Sequence, residues 1–167
     1  VALLEQVGVM FNLLEQVKNL ENKFVTVGIH GDKGEQKKLV RLHPKSAILP
    51  RGTKREAVDP NITVAQVAAE NEFGDRKKNI PQRSFLRSVL KEKAREINQI
   101  AQKALNKPEI FYDVIGTYIL NQINKKIVSG IAPANSPSTI KRKGSSTPLI
   151  DTGQLKAALT YKVSTND

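Results

Sequence analysis

The 167-residue chain contains no cysteine, no tryptophan, one methionine and two histidines, His30 and His43. The missing cysteine excludes disulfides, thiolate catalysis and Cys-ligated zinc or iron–sulfur centres. Two histidines are too few for a His-rich metal site, and both read as ordinary polar residues. Aromatic residues are only 5% of the chain, which argues against a platform that stacks single-stranded bases. No apolar run reaches the roughly 18 residues that span a bilayer. The N-terminal stretch has no basic region and carries Glu5 and Glu15 among its apolar residues, so no secretory leader and no membrane partner are expected. Acidic residues are also scarce: 16 Asp and Glu stand against 27 Lys and Arg, a formal charge of +11. A field of that sign attracts nucleic acid and acidic protein surfaces alike and says nothing about fold. The length suits a single domain over 1–167, and such a chain buries about two-thirds of its unfolded surface without help from a metal or disulfide.

Hydrophobic spacing divides the chain into elements. Leu3, Val7, Met10, Leu14 and Val17 predict a helix over 3–20 with a small polar face, buried in the protomer or against a neighbour. Val25, Val27 and Ile29 alternate as in a half-buried strand over 24–30. Gly31-Asp32-Lys33-Gly34 is turn chemistry, so 38–42 is expected to return as the second strand of a hairpin. Residues 43–61, with Pro44, Pro50, Gly52 and Pro60, are the least foldable stretch. Over 31–61 eight basic residues outnumber four acidic ones, which suggests an extended basic loop or arm. Thr63-Val64-Ala65-Gln66 has the capping-box pattern and opens a helix that ends at Phe73-Gly74. Leu86, Leu90, Ala94, Ile97, Ala101 and Ala104 predict one long helix over 82–106, on which Arg83, Arg87, Lys91 and Arg95 form a basic ridge. Pro108 restarts the chain. Phe111, Ile115, Ile119, Ile123 and Ile127 predict a second helix over 109–128, completing a helical hairpin. Ser136-Pro137 starts a short helix that stops at Gly144, and 159–163 closes as a strand. The expected fold class is α+β, a small, mostly antiparallel sheet packed with several helices.

Few constellations carry chemistry. Leu149-Ile150-Asp151-Thr152-Gly153 has the local form of an aspartic-protease loop, but that chemistry needs two such carboxylates sharing a proton. One copy would require a homodimer, and such proteases are essentially all-β. Asp151 reads better as the N-cap of a helix with Gln154 at its third position. Neither G-x-x-x-x-G-K-[ST] nor G-x-G-x-x-G occurs. Glu70 and Glu72 fall on different helix faces, and no Ser-His-Asp arrangement can be argued. No enzyme is expected.

Three segments in order are distinctive. They are Val67 to Gly74 (VAAENEFG), Ile80 to Arg87 (IPQRSFLR), and Ser136 to Gly144 (SPSTIKRKG) running into Pro148 to Leu155 (PLIDTGQL). This order and spacing resembles the tail-completion, or virion-morphogenesis, proteins at the head–tail neck of tailed bacteriophages. The resemblance covers about 64–163 by motif and 3–30 by element order alone. Ser84 departs from the proline common in the family, and 31–61 has no counterpart in it.

The resemblance implies a structural role in the virion, assembled in the host cytoplasm, with no catalysis and no cofactor. Such proteins form homo-oligomeric rings, usually hexameric, that terminate the tail and join it to the head through a connector or stopper ring and the tail tube. It also gives the charges a use. Arg83, Arg87, Lys91 and Arg95 would face genomic DNA in the channel or a neighbouring ring, and both uses stand. Lys37, Lys38, Arg41, Lys45, Arg51, Lys54 and Arg55 would dock the arm on a partner protein. Phe85, Leu86, Asp151, Thr152 and Gly153 belong to the structural motifs. The alternative class is a sequence-independent nucleic-acid-binding protein that uses the basic surface.

Overall fold

The computed structural model describes residue 18, residues 20–41 and residues 56–166. The helix expected over 3–20 falls largely outside them, as do His43, Lys45, Arg51, Lys54 and Arg55. In chain order the elements are β1 (Lys23–Ile29), a single helical turn α1 (Asp32–Glu35), β2 (Lys37–Arg41), β3 (Glu56–Thr63) and α2 (Val64–Phe73). Then come α3 (Arg87–Glu92), α4 (Ala94–Ala104), a 3-10 turn (Pro108–Ile110) and α5 (Phe111–Ser129). The chain closes with α6 (Pro137–Lys143), α7 (Gln154–Ala158) and β4 (Leu159–Thr165). The fold is α+β.

The strands pair differently from the expected hairpin. β1 runs antiparallel to β4, in register from Lys23↔Thr165 to Ile29↔Leu159. β2 pairs with β3 in a second two-stranded ribbon. The glycine-rich segment after β1 is a helical turn, closed by Gly34 N–H donating to the Gly31 carbonyl at 2.9 Å. That turn packs on α2, so β2 is passed to β3 instead of folding back on β1. Part of the stretch expected to be least foldable is therefore a strand. Pro60 sits where the register of β3 slips, between Lys37↔Thr63 and Lys38↔Asp59. A residue without an N–H is tolerated at such a bulge.

β3 runs straight into α2 through Thr63, which is both the last strand residue and the N-cap. Thr63 Oγ1 accepts the Gln66 N–H at 3.2 Å, and Gln66 Oε1 accepts the Thr63 N–H at 2.8 Å, the expected capping box. The core lies between α5, the β1–β4 ribbon, α2, α3 and α7. Its deepest side chains are Phe85, Ile123 and Ile127. The stripe of isoleucines every fourth residue along α5 is buried as the spacing predicts. On the sheet side the α5 backbone comes close enough that a Cβ at Gly116 would lie 2.5 Å from the Tyr161 ring and 3.0 Å from Val25.

The single helix expected over 82–106 is instead two. It begins only at Arg87 and is interrupted at Lys93. Its buried face is also one residue out of the expected phase in the first half: Val89 is buried, while Leu90 is 47% exposed. The true stripe is Phe85, Val89, Ile97 and Ala101, and Lys93 occupies the position between Val89 and Ile97. The hairpin itself forms. Glu92 pairs with Lys126 at 2.5 Å and Glu96 with Tyr118, contacts that fix α3–α4 antiparallel to α5. Ser136 caps α6 through the Thr139 N–H, and Gly144 ends it in the left-handed conformation.

Candidate assembly surface

α2 ends in Glu72-Phe73-Gly74. Gly74 has φ +78, and a Cβ there would lie 3.0 Å from the Gln82 nitrogen, so only glycine lets the chain double back. The reversal is tight. Asp75 and Ile80 exchange both backbone hydrogen bonds at 2.8 Å, Asp75 Oδ1 accepts the N–H groups of Lys77 and Lys78, and Asn79 takes a positive φ of 53°. The returning segment Pro81–Leu86 then runs past the end of α2.

Glu72 is the hub of that crossing. Its carboxylate accepts from the Ser84 hydroxyl at 2.6 Å and from the backbone N–H groups of Phe85, Leu86 and Arg87 at 2.8, 2.9 and 3.2 Å. Arg87 Nε donates to it at 3.0 Å. These N–H groups are the unsatisfied donors at the start of α3, where a carboxylate is favoured by both hydrogen bonding and the helix dipole. This is why the helix starts at Arg87 and not at Gln82: residues 83–87 are tied to α2. Burial pushes the Glu72 carboxyl pKa up, but the bonds from Leu86, Ser84 and Arg87 outweigh it and hold the pKa below the usual value.

Arg83 does not join the expected ridge. It is buried, donating from Nε to the Pro133 carbonyl at 2.8 Å and from Nη2 to the Ala134 carbonyl at 3.2 Å. Its own N–H bonds the Asn71 carbonyl at 2.7 Å. It pins the 80–87 segment to the loop ahead of α6, which contains the cis Ala132–Pro133 bond. Burial lowers its pKa. A guanidinium spent in this way inside the fold is not presented at the surface with Arg87, Lys91 and Arg95.

The remaining ridge residues are outward. Arg87 is half exposed and lies over the Phe73 ring, 4.4 Å from its centroid. Lys91 and Arg95 are exposed and make no ion pair among the described residues. The acidic residues of the same helices are exposed but paired: Glu92 with Lys126, Glu96 with Lys93 and Tyr118. Lys91 and Arg95 are thus left as cations without a carboxylate partner among the described residues, and two large apolar side chains are also outward: Phe73, 62% exposed, and Leu90. Sequence reasoning missed Glu72 and Phe73 as participants. Their presence in the EFG motif, just before a basic helix start, was the available signal.

The other expected site residues are placed as follows. Lys37, Lys38 and Arg41 lie on β2, with Lys38 in register opposite Asp59 and Arg41 opposite Glu56. Phe85 is fully buried, and Leu86 is half-buried against the same core. Asp151 is not the expected N-cap. α7 begins at Gln154 with Gly153, φ +82, ahead of it, and Thr152 Oγ1 accepts the Gln154 N–H at 3.4 Å. The positive φ at Gly153 turns the chain one step too late for Asp151 to reach the helix start as its cap. Asp151 and its neighbours line a small apolar crevice with Val64 and Val67 of α2. His30 bonds Thr26 at 2.9 Å. Among the described residues no three His, Asp or Glu side chains gather in a way that could hold a metal ion, and no helix is long and apolar enough to cross a membrane.

Comparison with protein-family models, with curated proteins and with solved structures returns no match.

Proposed function

We propose that this chain is a structural protein of the head–tail neck of a tailed bacteriophage, which completes or terminates the tail and joins it to the head as a homo-oligomeric ring around the DNA channel. The observation that carries the reading is the meeting of the resembling segments. Glu72 of VAAENEFG holds the 84–87 backbone of IPQRSFLR, and Arg83 of the latter holds the carbonyls just ahead of SPSTIKRKG. Residues spread over 63 positions of sequence, from Glu72 to Ala134, serve one junction, which supports reading these segments as parts of one structural unit. The junction uses its charged groups for architecture and leaves an outward face suited to contact with other proteins.

Electron microscopy of lysates from phage lacking the gene tests this. DNA-filled heads beside separate tails, some overlong, are the expected result. Infectious particles of normal form would overturn the neck reading.

The second reading, sequence-independent nucleic-acid binding, is favoured by the unpaired Lys91 and Arg95. It requires duplex DNA affinity near micromolar at physiological salt, with a steep salt dependence.

A further inference from the structure

The outward face of α3–α4 has a composition that DNA binding alone does not require. Phe73 and Leu90 are large, apolar and about half exposed or more. Arg87 stands between them, over the Phe73 ring and one helical turn before Leu90, so the three form a continuous surface. Lys91 shares that face, and Arg95 follows in the next turn. Arg87 is held from behind by the Glu72 carboxylate at 3.0 Å and the Glu72 carbonyl at 3.2 Å. Its guanidinium therefore keeps one orientation with its remaining donors outward. An aromatic ring and a pre-oriented arginine side by side are the usual energetic centre of a protein interface. Flanking lysine and arginine without carboxylate partners select the sign of what docks.

We propose that Phe73, Arg87, Leu90, Lys91 and Arg95 form the docking surface for an acidic segment of a neighbouring protein, one that sets an apolar side chain against Phe73 and Leu90 and its carboxylates against the three cations. Charge complementarity supports this occupant. Glu92 and Glu96 are paired with Lys126 and Lys93, and Glu72 with Arg87, so Lys91 and Arg95 are the cations whose charge a partner would match. Exposed apolar area contributes little against a phosphate backbone but a great deal against an apolar side chain. The identity of the neighbour as a neck or tail protein rests on the function proposed above; the chemistry of the surface does not.

The test uses full-length protein and three probes: poly-glutamate, a glutamate–tyrosine copolymer and a short DNA duplex, each titrated by fluorescence anisotropy at about 0.15 M salt. The expected result is copolymer binding about tenfold tighter than poly-glutamate. Phe73→Ala with Leu90→Ala should erase that difference, while Lys91→Glu with Arg95→Glu should weaken both polymers. Both apolar positions are exposed, so the variants are expected to fold, and thermal unfolding checks this. Equal binding of the two polymers, no binding of either, or duplex binding tighter than the copolymer and indifferent to Phe73 would each overturn the proposal. In phage, the Phe73→Ala, Leu90→Ala gene should fail to complement a gene deletion. If the deletion blocks joining and that variant restores it, the docking surface falls while the neck reading stands.

Discussion

Glu72 and Gly116 show how much a single residue decides in this fold. The Glu72 carboxylate satisfies three backbone N–H groups, a hydroxyl and a guanidinium at once. Glu72→Gln keeps the shape but loses the charge-assisted bonds and leaves donors facing an amide N–H. It should cost about 3 kcal/mol of stability, read as a lower urea midpoint at pH 7. The pH dependence follows from the lowered pKa. A carboxyl whose folded pKa is depressed stabilises fully above its unfolded value near 4.5 and loses that contribution as pH falls through the folded value. The gap between wild type and Glu72→Gln should therefore be widest near neutrality and narrow on acidification below about pH 4.5; a pH-independent gap would mean the charge is not the source. Gly116 is decided by space. A methyl group 2.5 Å from the Tyr161 ring forces α5 off the sheet, which should cost about 2 kcal/mol even though alanine favours helix by about 1 kcal/mol. On a Tyr161→Ala background Gly116→Ala should cost markedly less, with only the Val25 contact at 3.0 Å left to relieve, a coupling that a double-mutant cycle of urea midpoints would measure.

At the scale of elements, what was legible in the sequence was local and what was hidden was long-range. The isoleucine period of α5, the Thr63–Gln66 box and the Ser136-Pro137 start are written within a few residues, and each forms as the spacing predicts. The pairing of β1 with β4 joins segments about 130 residues apart, and nothing adjacent to β1 announces it. A glycine-rich hairpin turn and a glycine-rich helical turn also look alike in sequence. The helix over 82–106 failed for another reason. Its first turn was claimed by Glu72, a tertiary partner, and its middle was broken at Lys93, which takes up a position on the buried stripe. Lys93 pairs with Glu96 at 2.8 Å, an exposed bond of the kind that contributes little to stability. Lys93→Leu would extend the apolar stripe from Val89 to Ile97. It should raise stability by about 1 kcal/mol and deepen the helical signal at 222 nm. A loss of stability would mean that the break is needed for α3 and α4 to lie along α5.

For the whole molecule the question is whether the surplus of positive charge acts as a diffuse field or through one face. The candidate site was half legible here. The ridge spacing located Arg87, Lys91 and Arg95, but it could not know that Arg83 is buried on the Pro133 and Ala134 carbonyls or that Phe73 completes the face. Two double reversals of equal charge separate the alternatives. Lys91→Glu with Arg95→Glu alters the α3–α4 face. Lys141→Glu with Lys156→Glu removes the same number of positive charges from the +11 total at exposed positions on α6 and α7. Lys91 and Arg95 have no ion-pair partner to lose among the described residues, so each double variant should unfold within about 0.5 kcal/mol of wild type. Under the neck role proposed above, if the face acts, the first variant should leave heads and tails unjoined in a gene-deleted phage while the second restores joining. If the field acts, through DNA in the channel or through general attraction to acidic neighbours, both should impair assembly alike, and raising ionic strength should worsen both by the same factor because long-range charge effects are screened without regard to position. A local contact between desolvated groups is screened less. Joining by the wild-type protein in mixed extracts of heads and tails should then survive salt that abolishes its non-specific binding to duplex DNA.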